Sequence, residues 1–329
     1  MEFRKLKMVQ FKVLITRKIP EAGIEILKEA GYKVDIHEET IPLSRETFLQ
    51  KIANADAVIP MLSEELNKEA INQAPKLKVI ANYAVGYNNI DVEYARSKHI
   101  YVTNTPDVLT EATADLTWAL ILSATKRIPE SDQLVRQGQF KGWGPLLMLG
   151  DDVSGKTLGI IGAGRIGQAV GQRAVGFNMN ILYYSPSRKK EFEIKTGAFK
   201  CDLEELLKKS DIVSIHCPLT EQTTHLINSE NIIKIKKGSY IINTSRGSVI
   251  EESALAEALQ NGHLGGAGLD VYEFEPEIHP KLLNFKNVVL LPHIGSATKE
   301  TRSAMARIAA ENVKSVLSGN KPLNPVYPV

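Results

Sequence analysis

Residues 156–176, KTLGIIGAGRIGQAVGQRAVG, place a short apolar segment directly before a glycine-rich turn and an amphipathic segment. This order predicts a β-strand, a tight turn and an α-helix. Gly162 permits the turn, Gly164 removes a side chain where a ligand would approach, and Gly167 lets the helix pack against the strand. Because the N–H groups at the start of such a helix attract phosphate, the segment predicts a unit that binds a dinucleotide. A glycine turn without a ligand is the simpler alternative. The predicted cofactor-binding residues of the turn are Gly162, Ala163, Gly164, Arg165, Ile166 and Gly167.

Short apolar strands alternate with helices on both sides of this turn. The first series runs from FKVLITRK (11–18) to HIYVTNTP (99–106), and the second continues from NILYYS (180–185) to NVVLLPHIG (287–295). Such alternation predicts parallel sheets covered by helices on both faces. We expect a helix from Ser63, and a long helix over 107–138 that is interrupted near Pro129. The last helix, 298–319, should return to the first series because the second sheet is already complete.

The composition excludes several classes of protein. The chain has 329 residues, of which 43% are hydrophobic, and a net charge of only +2, which argues against a nucleic-acid partner. It has two cysteines without metal-ligand spacing, and no metal site is expected. The first residues mix charges with apolar side chains, and no apolar run reaches about 18 residues. These features predict a cytoplasmic protein with no membrane span.

Polar residues follow the predicted strands of the second series. They are Ser185, His216, Thr244, Ser245, Arg246, Asp270 and His293. Ligands of open parallel sheets bind beyond the carboxyl ends of the strands, so these side chains are candidates for a site. Consider an enzyme that transfers hydride to a ketone or aldehyde carbonyl in a substrate that also carries a carboxylate. It needs a cation to bind the carboxylate and an acid to protonate the carbonyl oxygen. Arg246 suits the first role because a guanidinium binds a carboxylate through two parallel hydrogen bonds, and a surface salt bridge is the alternative.

Two of the seven histidines, His216 and His293, follow strands and are candidates for the acid. His293 is preferred because it lies where the chain leaves the second series of strands. A carboxylate beside the ring would stabilise the imidazolium. Asp270, Glu273, Glu275 and Glu277 are all near enough in sequence, and spacing alone does not choose among them.

The segment ILYYSPSRKK (181–190) bears on the choice of dinucleotide. An NAD-binding unit of this kind usually carries an acid about 20 residues after the glycine turn, to bind the ribose hydroxyls. Here that position holds Ser185, followed by Ser187 and Arg188. The missing acid and the added positive charge predict a preference for NADP(H), with NAD(H) possible. The alternative is that residues 188–190 begin a solvated helix.

Six segments of the chain together resemble one family, the D-isomer-specific 2-hydroxyacid dehydrogenases, and are most similar to its glyoxylate/hydroxypyruvate reductase branch. They are NYAVGYNNIDV, GKTLGIIGAGRIG, DIVSIHCPLT, YIINTSRGSVI, GAGLDVYEFEP and NVVLLPHIGSAT. The resemblance covers nearly the whole chain. It implies NAD(P)H-dependent reduction of a small 2-oxo acid, with Arg246 as substrate anchor, His293 as proton donor and Glu275 as the partner of His293.

The resemblance also implies binding residues. Those for the coenzyme, beyond the glycine turn, are Ser185, Ser187, Arg188, Thr244, Ser245, Asp270, His293 and Gly295. Those for the substrate are Leu62, Val85, Gly86, Arg246, His293 and Ser296. Asp270 would hold the nicotinamide carboxamide, and the backbone at Val85 and Gly86 would bind the substrate carboxylate.

The fold implied is α/β, with two Rossmann-like lobes and a cleft between them. A flavodoxin-like substrate-binding lobe would comprise residues 1–106 and 294–329, and a doubly wound dinucleotide-binding lobe residues 107–293. A homodimer is implied, in which Trp143 reaches towards the partner's site.

Relatives with other activities remain as alternatives. Formate dehydrogenases of this kind carry Gln where Glu275 stands, which disfavours that activity. A D-lactate or D-3-phosphoglycerate dehydrogenase is the main enzymatic alternative. A dinucleotide-sensing transcriptional corepressor would share the catalytic trio, but no basic patch or appended tail supports one.

Overall fold

A computed structural model describes residues 10–328 of the chain. The chain divides into two compact units. The first unit contains the residues up to Leu109 and those from Ala297 onward, and the second contains Thr110–Ser296. The boundaries predicted from the sequence, after residues 106 and 293, fall a few residues before these.

The first unit is built on a parallel five-stranded sheet in the order β2-β1-β3-β4-β5. Its strands are β1 (Lys12–Ile15), β2 (Lys33–Ile36), β3 (Ala57–Ile59), β4 (Val79–Ala81) and β5 (Tyr101–Thr103). The helices between them are α1 (Glu21–Glu29), α2 (Arg45–Ile52), α3 (Lys68–Gln73) and α4 (Val92–Ser97). This strand order is that of flavodoxin, as expected.

The second unit is built on a parallel seven-stranded sheet in the order β12-β11-β10-β9-β6-β7-β8. Its strands are β6 (Thr157–Ile161), β7 (Asn180–Tyr184), β8 (Phe199–Lys200), β9 (Ile212–Ile215), β10 (Tyr240–Asn243), β11 (Gly266–Leu269) and β12 (Val288–Leu290). Its helices are α5 (Thr110–Thr125), α6 (Ile128–Arg136), α7 (Arg165–Val175), α8 (Lys190–Thr196), α9 (Leu203–Lys209) and α10 (Glu252–Gln260). The strand order reverses between β6 and β9. This is the doubly wound order in which ligands bind beyond the carboxyl ends of the strands.

The central strands of the second sheet, β6, β9, β10 and β11, are mostly apolar and buried because both faces of the sheet are covered there. Ile161 and Ile241 pack with Leu255 of α10 in one buried cluster. Ile160 packs with Trp118 of α5 in another. Since neighbouring side chains of a strand point to opposite faces, these two clusters hold the sheet rigidly between its helices.

The last helix, α11 (Lys299–Leu317), belongs to the first unit, which confirms the prediction that it returns there. It packs against α1 at Gly23, where a Cβ would lie only 2.9 Å from the Cβ of Ala306. A side chain larger than hydrogen at position 23 would therefore force the two helices apart.

The long helix predicted over 107–138 is two helices. The break lies at Arg127, whose left-handed backbone (φ 54°) separates α5 from α6. The Arg127 guanidinium pairs with Glu130 at 2.7 Å. Pro129 lies in the first turn of α6, where proline is tolerated, so it follows the interruption instead of causing it.

Two other predicted helices are shorter than expected. α3 begins after Asn67, whose side chain accepts a hydrogen bond from the N–H of Ala70 at 3.2 Å. It does not begin at Ser63, because Leu66 forms a bridge with Ile90. The segment 231–238 contains a single 3₁₀ turn, Ile232–Lys234.

The short edge strand β8 is absent from the sequence-based interpretation. Helix α8 begins at Lys190, at the end of the segment 188–190 where the alternative interpretation placed the start of a solvated helix. Within residues 10–328, no helix combines the length and apolar character needed to cross a bilayer.

Candidate active site

The glycine turn joins β6 to α7 as predicted. Gly162 has φ +97°, which an L side chain adopts rarely, and its N–H bonds the carbonyl oxygen of Tyr184 at 2.8 Å. A Cβ at Gly167 would overlap the carbonyl oxygen of Gly162, so this glycine permits α7 to approach the turn. The two glycines therefore fix the strand–turn–helix geometry.

This turn fits the pyrophosphate of a nicotinamide dinucleotide. Gly164 precedes the first residue of α7, a helix of 11 residues. A Cβ at Gly164 would meet no described atom within 4 Å, so the surface before the turn is open to a ligand. The first N–H groups of the helix lack intrahelical acceptors and carry its positive dipole end, and both features favour a phosphate there.

The end of β7 carries the residues predicted to select the coenzyme. Ser185 follows the strand and is only 7% exposed, whereas Ser187 and Arg188 are exposed. The Arg188 guanidinium forms a two-pronged contact with Glu193, with Nε–Oε2 and Nη2–Oε2 distances of 2.8 Å. The Tyr183 hydroxyl donates to the same carboxylate at 2.7 Å. Helix α8 begins at Lys190, so Arg188 precedes the helix and is tied to it through Glu193.

The loop after β10 is organised by Asn243, a fully buried side chain that the sequence analysis did not identify. Its amide donates to the carbonyl oxygen of Arg246 at 2.9 Å, and its oxygen accepts from the N–H of Ser245 at 3.0 Å. The Thr244 hydroxyl lies 3.0 Å from that of Thr117 on α5. These contacts fix the backbone from which the Arg246 side chain projects. Asparagine at the end of a strand, before a run of polar residues, is the sequence feature that indicates such a loop.

His293 and Glu275 form a hydrogen-bonded pair. The Nδ1 atom of His293 lies 2.9 Å from Oε2 of Glu275, and the side chains are 34% and 37% exposed. The other carboxylate oxygen of Glu275 accepts from the N–H of Tyr272 at 3.1 Å. With Nδ1–H directed at a carboxylate, Nε2 is the ring nitrogen that can deliver a proton.

Charges around the pair support a proton-donating histidine. Burial by itself raises the pKa of Glu275, but its hydrogen bond to His293 and the positive charges of His293 and Arg246 bring the pKa below its ordinary value. Burial lowers the pKa of Arg246, and the Glu275 carboxylate opposes that shift. Glu275 therefore stays ionised at neutral pH, as a partner for an imidazolium must.

Asp270 has a role that the sequence did not indicate. Its two carboxylate oxygens accept from the N–H groups of Ile294 and Gly295, each at 2.7 Å. The Thr113 hydroxyl donates to the carbonyl oxygen of Gly295 at 3.1 Å. Burial raises the pKa of Asp270, while these N–H donors and the charge of His293 act against the rise. Asp270 thus holds the segment that follows His293.

His293 itself has φ 55°, a left-handed conformation that is uncommon outside glycine. The bonds from Asp270 to the two following residues help to maintain it. Backbone geometry of this kind is concentrated at functional sites.

His216, the other candidate acid, lies elsewhere on the same edge. Its Nε2 atom is 2.8 Å from the hydroxyl of Ser214, and no carboxylate bonds it among residues 10–328. Burial lowers the pKa of His216 to about 3, so its ring is neutral near pH 7. A neutral imidazole without a carboxylate is a poor proton donor, which favours His293.

In the first unit, the predicted substrate residues follow neighbouring strands. Leu62 lies after β3, and Val85 and Gly86 lie after β4. Two side-chain amides fix this loop, since Asn104 donates to the carbonyl oxygen of Val85 and Asn82 to that of Gly86, each at 2.8 Å. With both carbonyl oxygens held by amides, the backbone between them is fixed in one orientation. Ser296, the remaining predicted substrate residue, is the last residue of the second unit.

No group of three or more potential metal ligands is found within residues 10–328. The fold and site together define a class of protein: an α/β oxidoreductase that binds a nicotinamide dinucleotide at a glycine turn and carries a histidine–carboxylate pair.

Known proteins agree with this class. Residues 118–295 match the family model described as D-isomer specific 2-hydroxyacid dehydrogenase, NAD binding domain. The glyoxylate reductase of Thermococcus onnurineus is 49% identical over 315 residues, which span 94% of each chain. A Thermus thermophilus protein of known structure has a TM-score of 0.91 and 43% identity, covering 96% of this chain and all of that one. An NADPH-dependent glyoxylate/hydroxypyruvate reductase from Sinorhizobium meliloti, solved with NADP and malonate, has a TM-score of 0.84 and 32% identity over 96% of this chain and 97% of that chain.

The chain belongs to the D-isomer specific 2-hydroxyacid dehydrogenase family. It is an oxidoreductase that acts on CH–OH groups and uses a nicotinamide dinucleotide.

Proposed function

We propose that this protein reduces a small 2-oxo acid, glyoxylate or hydroxypyruvate, to the corresponding 2-hydroxy acid with NADPH. The observation that carries the proposal is the 2.9 Å contact between His293 Nδ1 and Glu275 Oε2, with the positive charge of Arg246 acting on the same carboxylate. A carbonyl reductase needs these three groups in one place: a proton donor, a group that keeps it protonated, and a cation.

In the proposed reaction, Arg246, His293 and Glu275 each have a separate role. Arg246 binds the substrate and polarises its carbonyl group, because a guanidinium offers parallel N–H donors to adjacent oxygens. The bound coenzyme supplies the hydride. His293 protonates the carbonyl oxygen from Nε2, and Glu275 at Nδ1 stabilises the charged ring before the proton leaves. Fixed charges around a developing alkoxide provide much of the rate enhancement in such sites.

The glycine turn of the second unit would hold the coenzyme, and Asp270, Thr244 and Ser245 would contribute further contacts. The absence of an acid at Ser185 and the guanidinium of Arg188 support NADP(H) over NAD(H). The carboxylate of Glu193, which bonds Arg188, orients that guanidinium at the end of β7. The relative from Sinorhizobium meliloti, described as NADPH-dependent, is consistent with this preference.

The first unit binds the carboxylate of the substrate, through the backbone N–H groups of Val85 and Gly86, with Leu62 nearby. The side chains of Asn82 and Asn104 hold the carbonyl oxygens of this loop. A backbone held in this way presents its N–H groups as an anion-binding turn.

A steady-state assay with purified enzyme tests the function. Glyoxylate, hydroxypyruvate and pyruvate are compared, each with NADPH and with NADH. We expect turnover with NADPH and the first two acids to exceed the other combinations. The three acids differ only by hydrogen, hydroxymethyl or methyl at one position, and such a group is worth about 1–3 kcal/mol of discrimination. Coenzyme binding without turnover of any 2-oxo acid would favour a dinucleotide sensor and contradict the proposal.

The protein acts as a homodimer, and the segment after α6 supplies much of the interface. This segment exposes large apolar side chains, among them Phe140 (52%), Trp143 (85%), Leu146 (81%) and Leu149 (60%). α6 itself has no buried residue, although it presents Ile128 and Val135. Exposed apolar patches of this kind are typical of protein–protein interfaces.

A further inference from the structure

Two glutamates of the second unit bind each other's backbone. The N–H of Glu273 donates to Oε1 of Glu252 at 2.9 Å, and the N–H of Glu252 donates to Oε2 of Glu273 at 3.0 Å. Glu252 is the first residue of α10 and is only 5% exposed. The pair therefore ties the start of α10 to the loop that follows β11.

The second oxygen of Glu252 reaches further along that loop. Its Oε2 atom accepts from the N–H of His279 at 3.1 Å. One buried carboxylate thus brackets residues 273–279 at both ends. Glu275 lies between these two anchors, and its own oxygens bind Tyr272 and His293.

Within this bracket the N–H of Glu277 donates to the carbonyl oxygen of Phe274 at 2.9 Å, and Ile278 packs against the core of the second unit, but the tip of the loop is exposed. Phe274 is 70% exposed, and Pro276 and Glu277 are exposed as well. Burying a carboxylate costs free energy unless hydrogen bonds compensate for the lost hydration. The N–H groups of the loop supply these hydrogen bonds to Glu252, and the loop is fixed to α10 in return. Further ties come from the Ser248 hydroxyl, which donates to the carbonyl oxygen of Glu273 at 3.1 Å, and from His225, whose Nε2 lies 2.6 Å from Oε1 of Glu273.

We infer that Glu252 is a positioning residue: by bracketing residues 273–279 it holds Glu275 in hydrogen-bonding range of His293. The inference rests on the proposed function, because it assigns Glu252 a part in the delivery of the proton. Glu252 has no direct contact with His293, and it acts only through the loop.

Other titratable or charged groups surround the carboxylates of Glu275 and Glu252, and the variants described below leave these groups unchanged. Around Glu275 and His293 they are Asp270, Tyr272 and Arg246. Around Glu252 and its partner they are Glu273, His279, His225 and Glu251.

The test compares Glu252→Gln with the wild-type enzyme in glyoxylate reduction by NADPH, as a function of pH. A glutamine keeps the shape but replaces one acceptor with an NH₂ group, which repels a loop N–H. We expect kcat to fall about ten-fold, less than the roughly hundred-fold cost of displacing a catalytic group by ~1 Å. The alkaline limb of the kcat/KM profile should move to lower pH, because a displaced carboxylate stabilises the imidazolium less well. NADPH affinity, measured by fluorescence, should be unchanged.

A double-mutant cycle with Glu275→Gln shows whether the effect passes through Glu275. In the Glu275→Gln background, Glu252→Gln should cause no further shift of the alkaline limb. Glu257→Gln, on the exposed side of the same helix, is the matched control and should behave as wild type. If Glu252→Gln does not accumulate as folded protein, Glu252→Asp replaces it, and the same shift in smaller measure is expected.

Two results would overturn the inference while leaving the proposed function intact: a Glu252→Gln enzyme with lowered thermal stability but an unchanged pH profile, or an equal shift in both backgrounds. A wild-type enzyme that reduces no 2-oxo acid would overturn the proposed function and this inference together.

Discussion

The ring of His293 is held by contacts to its backbone and to its Nδ1 atom. Asp270 binds the N–H groups of Ile294 and Gly295, which follow His293, and Glu275 binds Nδ1 of His293. His293→Ala should lower kcat by about 10²–10⁴-fold, the usual contribution of a positioned acid. NADPH binding, measured by fluorescence titration, should change far less than kcat because the glycine turn, which would hold the pyrophosphate, is untouched. A variant with more than half of the wild-type turnover would contradict the assignment, and His216→Ala provides the comparison at the other histidine.

In the proposed mechanism Arg246 both binds the substrate and polarises its carbonyl group, so its loss should affect two kinetic parameters. Arg246→Ala should raise KM for the 2-oxo acid and lower kcat, since one guanidinium serves both the ground state and the transition state. Arg246→Lys should recover only part of the loss, because an ammonium cannot form two parallel hydrogen bonds. Initial rates over a range of substrate concentrations measure both effects. Unchanged KM and kcat in Arg246→Ala would show that the anchor lies elsewhere.

At the scale of single elements, we propose that the end of β7 and the start of α8 together select the coenzyme. Ser185→Asp places a carboxylate where the 2′-phosphate of NADP(H) would lie. The ratio of kcat/KM for NADPH to that for NADH should fall by about ten-fold or more, since a charge-assisted hydrogen bond contributes roughly 1.5–3 kcal/mol. Ser253→Asp adds the same charge to the exposed surface of α10 and should leave the ratio unchanged. An unaltered ratio in Ser185→Asp would count against the assignment.

The contacts of Arg188 refine this prediction. Because Glu193 holds two nitrogens of the guanidinium, the positive charge at the end of β7 is partly compensated before any ligand arrives. We therefore expect this compensation to moderate the proposed preference for NADP(H) and to leave NAD(H) usable. It also shows why counting basic residues in the sequence overstates the charge that a coenzyme meets.

At the scale of the whole molecule, the exposed apolar side chains of residues 140–149 predict self-association. The variant carrying both Trp143→Asp and Leu146→Asp should be monomeric by light scattering at concentrations where the wild-type protein is dimeric, since two charges in an apolar interface lose their hydration. Ile194→Asp is the control, because Ile194 is 84% exposed on α8 in a different part of the second unit. A wild-type monomer, or a dimer that survives both substitutions, would contradict the proposed assembly.

The amino-acid sequence by itself determined every described strand except β8, their parallel arrangement and the glycine turn, because each depends on a local pattern. Buried parallel strands are short apolar runs. The turn after β6 needs glycine at position 162 because φ is positive there. The sequence also predicted which polar residues follow the strands, because the end of each apolar run marks the end of a buried strand. Local patterns were less reliable at α3 and α6: the side chain of Asn67 caps the start of α3, and the left-handed backbone of Arg127 separates α6 from α5.

Only the tertiary structure decided what each carboxylate of residues 270–277 does. Spacing left Asp270, Glu273, Glu275 and Glu277 equivalent, and resemblance to a family singled out Glu275. The structure gives three of them different partners: Asp270 binds the backbone after His293, Glu273 binds His225 and Glu252, and Glu275 binds His293. The direction of a side chain in an irregular loop follows no period, because it depends on hydrogen bonds to residues that are distant in sequence.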